Sequence, residues 1–202
     1  MMQMSDIKYK RVLLKLTGEL FAGGGRKKGI DFVAIKRLAF YLQKLHEETK
    51  VEFAIVVGGG NILRAREVSG MPINRVTADY IGMLGTVMNA LALQEEFERL
   101  GSETRVMSSI HIQTVCESFI KRRAVRHLEK GRIVILAGGT GNPFFTTDSA
   151  AALKALELNC EILLKASNVD GVFNADPKID KSATLFEKID FQTAIEKGLT
   201  VM

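Results

Sequence analysis

Clusters of glycine and small polar residues follow apolar runs at four places in this chain, and that coupling restricts the fold more than any other feature. Five short runs rich in β-branched residues recur, at residues 12–16, 53–57, 105–108, 133–137 and 162–165. Their length and composition predict strands buried on both faces. Helix-period segments lie between them. Phe32, Ile35, Leu38, Leu42 and Leu45 keep a 3.6-residue spacing after Asp31, which is placed to cap them. Residues 75–100 predict a longer helix interrupted by Gly82 and Gly85, Phe119, Ala124, Val125 and Leu128 mark a third, and residues 148–158 a fourth. Strand and helix alternating over short links imply an α/β fold, a three-layer αβα sandwich around a mostly parallel sheet with right-handed crossovers. Past Asp176-Pro177 the sequence turns polar, and a short helix is expected near Asp190.

The unusual residues fall at one kind of place. Thr17-Gly18 follows the first run, Gly58-Gly59-Gly60-Asn61 the second, residues 138–142 the fourth, and Ser167-Asn168-Val169-Asp170-Gly171 the fifth. All four lie at the carboxyl ends of expected strands, the edge where ligands bind in an open α/β sheet. One such cluster is an ordinary tight turn. Four on one edge point to main chain brought close to an anion, because glycine lets a phosphate approach backbone N–H groups. The sequence contains neither GxxxxGK[ST] nor GxGxxG, so a P-loop enzyme and a standard dinucleotide fold are disfavoured.

Charge on that edge comes from single residues. Lys15 lies inside the first run, where a cation is costly unless it meets an anion or a carboxylate; its plainer alternative is a solvated edge lysine. Lys165 repeats the placement at the end of the fifth run, and Arg64 stands four residues beyond Gly60, either as a clamp or as a surface arginine. Asp148 and Asp79 sit early in expected helices, where an acid meets the helix dipole; accepting from ribose hydroxyls or orienting a cation is the functional alternative. Phe144-Phe145 are expected as a core wedge rather than a base-stacking shelf. None of the three histidines adjoins a serine or cysteine elbow, which disfavours a nucleophilic triad.

The net charge of +5 is dispersed, and its two basic runs, at residues 26–28 and 121–123, have no interleaved aromatics, so no nucleic-acid partner is expected. Cys116 and Cys160 stand alone without metal-type spacing; a zinc site and a disulfide framework are disfavoured and a reducing, cytoplasmic setting expected. No signal peptide and no uninterrupted apolar span predict a chain neither exported nor inserted in a membrane. Two hundred and two residues, 47% of them hydrophobic, suit one domain, 1–202.

The segments YKRVLLKLTGEL (9–20), VVGGGNILR (56–64), NRVTADYIGMLGTVMNALAL (74–93), GTGNPFFTTDSAA (139–151) and LLKASNVDGVFNADP (163–177) together resemble the bacterial UMP kinase branch of the amino-acid kinase fold. By that resemblance Lys15, Leu16, Thr17, Gly18, Gly60 and Arg64 line the ATP phosphates, and Ser167, Phe173 and Asp176 lie at the adenosine end. Gly59, Asp79 and the stretch Thr140, Gly141, Asn142, Pro143, Phe144, Phe145, Thr146 and Thr147 form the UMP pocket. Asp148 and Lys165, with Lys15 and Arg64, stand near the transferred group. The N-terminal part would mainly hold UMP and the C-terminal part mainly ATP. The resemblance further implies Mg²⁺ with ATP, a homohexamer, GTP activation at residues 23–28 and UTP inhibition. Thr17 and Ser167 replace a commoner serine and threonine, each keeping its hydroxyl. Family members also continue past Met202, so C-terminal elements are expected to be missing and one sheet edge left uncovered.

Overall fold

The computed structural model describes residues 7–23, 28–63, 72–166, 169–177 and 179–199. Two compact units divide the chain, Met1–Ala166 and Ser167–Met202.

The first unit holds six strands, β1 (Arg11–Leu16), β2 (Glu52–Val57), β3 (Thr104–Ser108), β4 (Glu117–Ser118), β5 (Ile133–Ala137) and β6 (Ile162–Lys165), in the order β4-β3-β5-β2-β1-β6. Every pairing is parallel. Five strands lie within one residue of their expected positions. The two-residue β4 is an addition: Glu117 and Ser118 carry no apolar pattern, and their extended state comes from pairing with Met107 and Ser108.

Four helices fill the crossovers: α1 (Phe32–Thr49), α2 (Arg75–Arg99), α3 (Lys121–Glu129) and α4 (Thr147–Glu157). Strand alternation sorts them into two layers. Leu16, Phe53, Ile55, Val57, Ile133 and Ile135 face Ile35 and Ala39 of α1 and Val87, Leu93 and Phe97 of α2. Leu13, Ala54, Val56, Val134 and Leu136 face Ala124 and Leu128 of α3 and Ala151 and Ala155 of α4. The three-layer sandwich follows. Asp31 caps α1 as expected, accepting from the N–H groups of Val33 and Ala34 at 2.9 and 3.2 Å.

Gly82 and Gly85 do not interrupt α2, which runs unbroken for 25 residues. By length and composition this helix is apolar enough to cross a bilayer. Here it lays its inner face on the sheet. At the other side of the sheet β6 is an edge strand whose Leu163 and Leu164, on opposite faces, are both more than 40% exposed.

In the second unit Phe173 and Leu185 form an antiparallel bridge. Helix α5 (Phe191–Glu196) follows, capped by Asp190, which accepts from the Thr193 N–H at 2.8 Å.

Candidate active site

Lys15 and Lys165 are register partners on the neighbouring parallel strands β1 and β6. Lys15 has the same parity as Leu13, so its side chain leaves the sheet on the side of α4. Asp148, in the first turn of α4, meets both: its Oδ1 lies 3.1 Å from Lys15 Nζ and 3.4 Å from Lys165 Nζ. Lys15 is 7% exposed, which removes the solvated-edge alternative. Burial holds the Lys165 ammonium below its ordinary pKa; the attraction of Asp148 acts against this and the charge of Lys15 with it. Two ammonium groups on one carboxylate leave a net positive charge at the carboxyl ends of β1 and β6, a ready place for a second anion.

The glycine turns pack against one another there. A Cβ on Gly18 would stand 2.5 Å from Gly60 N, and one on Gly58 would stand 2.8 Å from Gly18 N. The turns after β1 and β2 therefore touch main chain to main chain, a distance no side chain permits. Thr17 Oγ1 is shut from solvent without a hydrogen-bond partner, at a cost of about 1–3 kcal/mol that a phosphate oxygen on this edge would remove. Leu16 is a core residue, so it offers a ligand its main chain only.

The loop after β5 is tied to α2. Gly138 N–H donates to Thr86 Oγ1 at 2.7 Å, and Gly141 N–H to Gly138 O at 2.9 Å. Thr140 Oγ1 lies 3.2 Å from both the nitrogen and the oxygen of Asn142. Beyond Pro143, Phe144 adopts φ 70°, a left-handed conformation costly for an aromatic residue. Two contacts hold it: its N–H donates to Asp79 Oδ2 at 2.8 Å, and the Arg75 guanidinium sits 5.9 Å from its ring centre. Asp79 is itself gripped by Arg75, both oxygens 3.0 Å from Nε. Thr146 caps α4, accepting from the Ser149 N–H at 3.1 Å, and Thr147 begins that helix.

The core-wedge expectation for Phe144 and Phe145 is overturned, since the two are 66% and 62% exposed. Phe144 has a positive φ, and the loop meets α2 through main-chain N–H groups bonded to the Thr86 and Asp79 side chains rather than by burying the two rings.

Arg64, Ser167 and residues 24–27, most of the expected effector loop, lie outside the described residues. Phe173 and Asp176 belong to the second unit, where Asp176 O accepts from the N–H groups of Ile179 and Asp180 at 3.0 and 2.8 Å. Three residues escaped the sequence reading: Arg75, Thr86 and Asn89, the last donating to Gly58 O. Thr86 and Asn89 left one signal, being polar among the otherwise apolar buried positions of α2 between Ala78 and Leu93.

A family model described as the amino acid kinase family matches residues 10–202. The chain belongs to that family. The chain is similar to a uridylate kinase of Xanthomonas campestris pv. campestris, 51% identical over 199 residues that make up 98% of this chain and 82% of the relative. A uridylate kinase of Rickettsia bellii is 52% identical over 198 residues, with the same coverage. Among solved structures, a UMP kinase from Bacillus anthracis superposes with a TM-score of 0.89 at 39% identity, covering 96% of this chain and 80% of that one. A UMP kinase from Ureaplasma parvum gives 0.88 at 34%, covering 97% and 83%.

Proposed function

We propose that this member of the amino acid kinase family transfers a phosphoryl group from ATP to UMP, giving UDP and ADP. The observation that carries the reading is the Lys15–Asp148–Lys165 cluster beside the touching glycine turns. A nucleoside monophosphate has a second pKa of about 6, so at neutral pH its attacking oxygen is largely ionised and needs no strong base. Repulsion between two anions is the obstacle. The buried Lys15 ammonium, the Lys165 ammonium beside it and fixed main-chain N–H groups counter it while holding donor and acceptor in line. Lys15, Lys165 and Arg64 act on the phosphates, with Asp148 orienting the two lysines. Thr17, Gly18 and Gly60 take the ATP phosphates, and the family resemblance assigns Ser167, Phe173 and Asp176 a role with the adenosine. Gly59, Asp79 and residues 140–147 take the UMP.

Mg²⁺ fits this donor set only as a companion of ATP. No three His, Cys, Asp or Glu gather to hold a metal among the described residues, and Asp148 is already shared by two ammonium groups, so the phosphates would supply most of its ligands. Bound there, it neutralises charge on the phosphate oxygens. A cytoplasmic homohexamer, activated by GTP and inhibited by UTP, completes the reading. The exposed apolar residues on α1 and α2 support self-association.

The test is ADP release measured in parallel with UMP, CMP, AMP, GMP, glutamate and acetylglutamate. Turnover with UMP above all others is expected. A response confined to an amino acid would transfer the site to carboxylate phosphorylation, and nucleotide binding without turnover would make the chain a binding protein.

A further inference from the structure

Asn61 and Asn89 are wholly buried and face one another across the junction of three segments. Asn89 Nδ2 donates to Gly58 O and to Asn61 Oδ1, each at 2.7 Å. Asn61 Nδ2 donates to Gly29 O at 2.8 Å and to Asn89 Oδ1 at 3.0 Å. The Gly29 N–H returns a bond to the Asn61 main-chain oxygen at 2.9 Å. Each amide has two N–H donors and one carbonyl oxygen, and all of them are used. The flanking carbonyls of Gly58 and Gly29 fix the orientation, because turning either amide over would set oxygen against oxygen.

Packing alone does not call for this arrangement. The inner positions Met83, Ala90 and Leu93 of α2 are apolar, and an apolar pair of similar shape would remove the amide–amide bonds at little cost, leaving as its main penalty the loss of these donors to the Gly58 and Gly29 carbonyls. What an apolar pair lacks is a hold on two main-chain carbonyls. Gly58 is in turn pressed on Gly18, and a Cβ on Gly18 would stand 2.8 Å from Asn61 Oδ1. The amides thus lie directly under both glycine turns.

We propose that the Asn61–Asn89 pair is a positioning device for phosphoryl transfer, holding the Gly58–Gly60 turn, and through it the turn at Gly18, where their main chain meets the phosphates. The proposal rests on reading those turns as the phosphate-facing edge. It makes Asn61 and Asn89 positioning residues that touch neither nucleotide. Their bonds to Gly29 also join the turn to the segment that leads into α1.

A displacement of about 1 Å at such a site costs on the order of 100-fold in rate. Asn89→Leu, close in volume, is therefore expected to fold and to lose at least about tenfold in kcat, with the KM for each nucleotide changed far less. Asn89→Asp provides a readout that packing would not move. Its buried carboxyl titrates above the ordinary range, and only its protonated form donates to Gly58 O. The kcat of that variant relative to wild type should rise as pH falls.

Wild-type kcat and KM in a folded Asn89→Leu, or a variant-to-wild-type ratio flat with pH, would overturn the proposal. If both variants unfold, Asn61→Ser carries the test: a kcat loss at an unchanged melting temperature supports positioning, and wild-type kcat refutes it. Unfolding of all three would also refute it, as the mark of a stability element. Lys15→Ala measured alongside separates the two readings. If it too keeps full turnover, the edge itself has been misassigned; if it alone loses turnover, only the role of the amides has.

Discussion

At the level of single residues, the decisive fact is a lysine that a folded chain should avoid burying. Lys15 is tolerated because Asp148 approaches it from α4, and a lone buried ammonium in this place would cost several kcal/mol. Lys15→Ala should leave Asp148 paired with Lys165 and the fold intact while lowering kcat by more than about tenfold, since it removes charge compensation at the transferred group. Steady-state kinetics on a variant with native circular dichroism checks this. Cys160 offers a pH test in which burial is the largest cause. Burial pushes its thiol up to about 11 from 9.0, with nearby Arg11 pulling the other way. Below pH 9 the thiol is protonated in both states and favours neither. Between 9 and 11 the unfolded chain gives up the proton and the folded one keeps it, so stability falls as pH rises. Lys165, lowered on folding, contributes the opposite slope as pH climbs toward 10.5. The comparison must therefore be between proteins rather than between pH values. Urea unfolding at pH 8 and pH 10.5 should show wild type losing more stability than Cys160→Ala over that interval.

At the level of elements, α2 carries more of the site than any strand. Its inner face supplies Thr86 to the Gly138 N–H and Asn89 to the Gly58 carbonyl, and its backbone at Gly82 is the wall against which Gly59 is pressed. A Cβ on Gly59 would lie 2.3 Å from Gly82 O and 3.1 Å from Thr86 N, both main-chain atoms that cannot swing aside. Gly59→Ala should therefore cost about 1–3 kcal/mol by forcing the turn away from the helix. A lowered melting temperature accompanied by weaker UMP binding is expected, and a neutral substitution would show that the contact relaxes freely. The strands and the glycine edge were legible beforehand because β-branched runs and glycine clusters are local signals. The pairing of Lys15 with Asp148 and Lys165 was not legible in spacing alone, and only the family resemblance set the three together. Nothing local says that the last strand returns to the side of the first, which sets Lys165 in register with Lys15. The glycines of α2 misled as interruptions; Gly85 makes room for Ile62, whereas a Cβ on Gly82 would meet only Leu63 O at an ordinary 3.7 Å. Phe144 and Phe145 misled because apolar residues in a loop suggest core, whereas this loop is held to α2 by main-chain N–H groups.

At the level of the whole molecule, the outer faces of α1 and α2 pose the remaining physical problem. Tyr80, Ile81, Leu84 and Met88 fall within about 100° of arc on α2, and Phe40, Tyr41 and Leu45 are exposed on α1 in the same layer. Their exposures run from 36% to 68%. With side chains of roughly 200 Å², that leaves on the order of 700 Å² of apolar and aromatic surface in water. Such an area exceeds the largest patch on a typical monomer, about 300–600 Å², and approaches the 800 Å² or so that each partner contributes to a standard interface. Aromatic residues and methionine are also the types enriched in such contacts. Association of copies through this layer, the first step toward the proposed hexamer, would cover it. A carboxylate at the middle of the stripe is the sharpest probe, because Leu84 points away from the sheet and its replacement leaves the inner residues Met83 and Thr86 in place. Leu84→Glu should therefore shift the protein to a smaller species in sedimentation velocity while the subunit's helical signal is retained. An assembly of unchanged size would assign the contact to another surface and leave the stripe to some other partner.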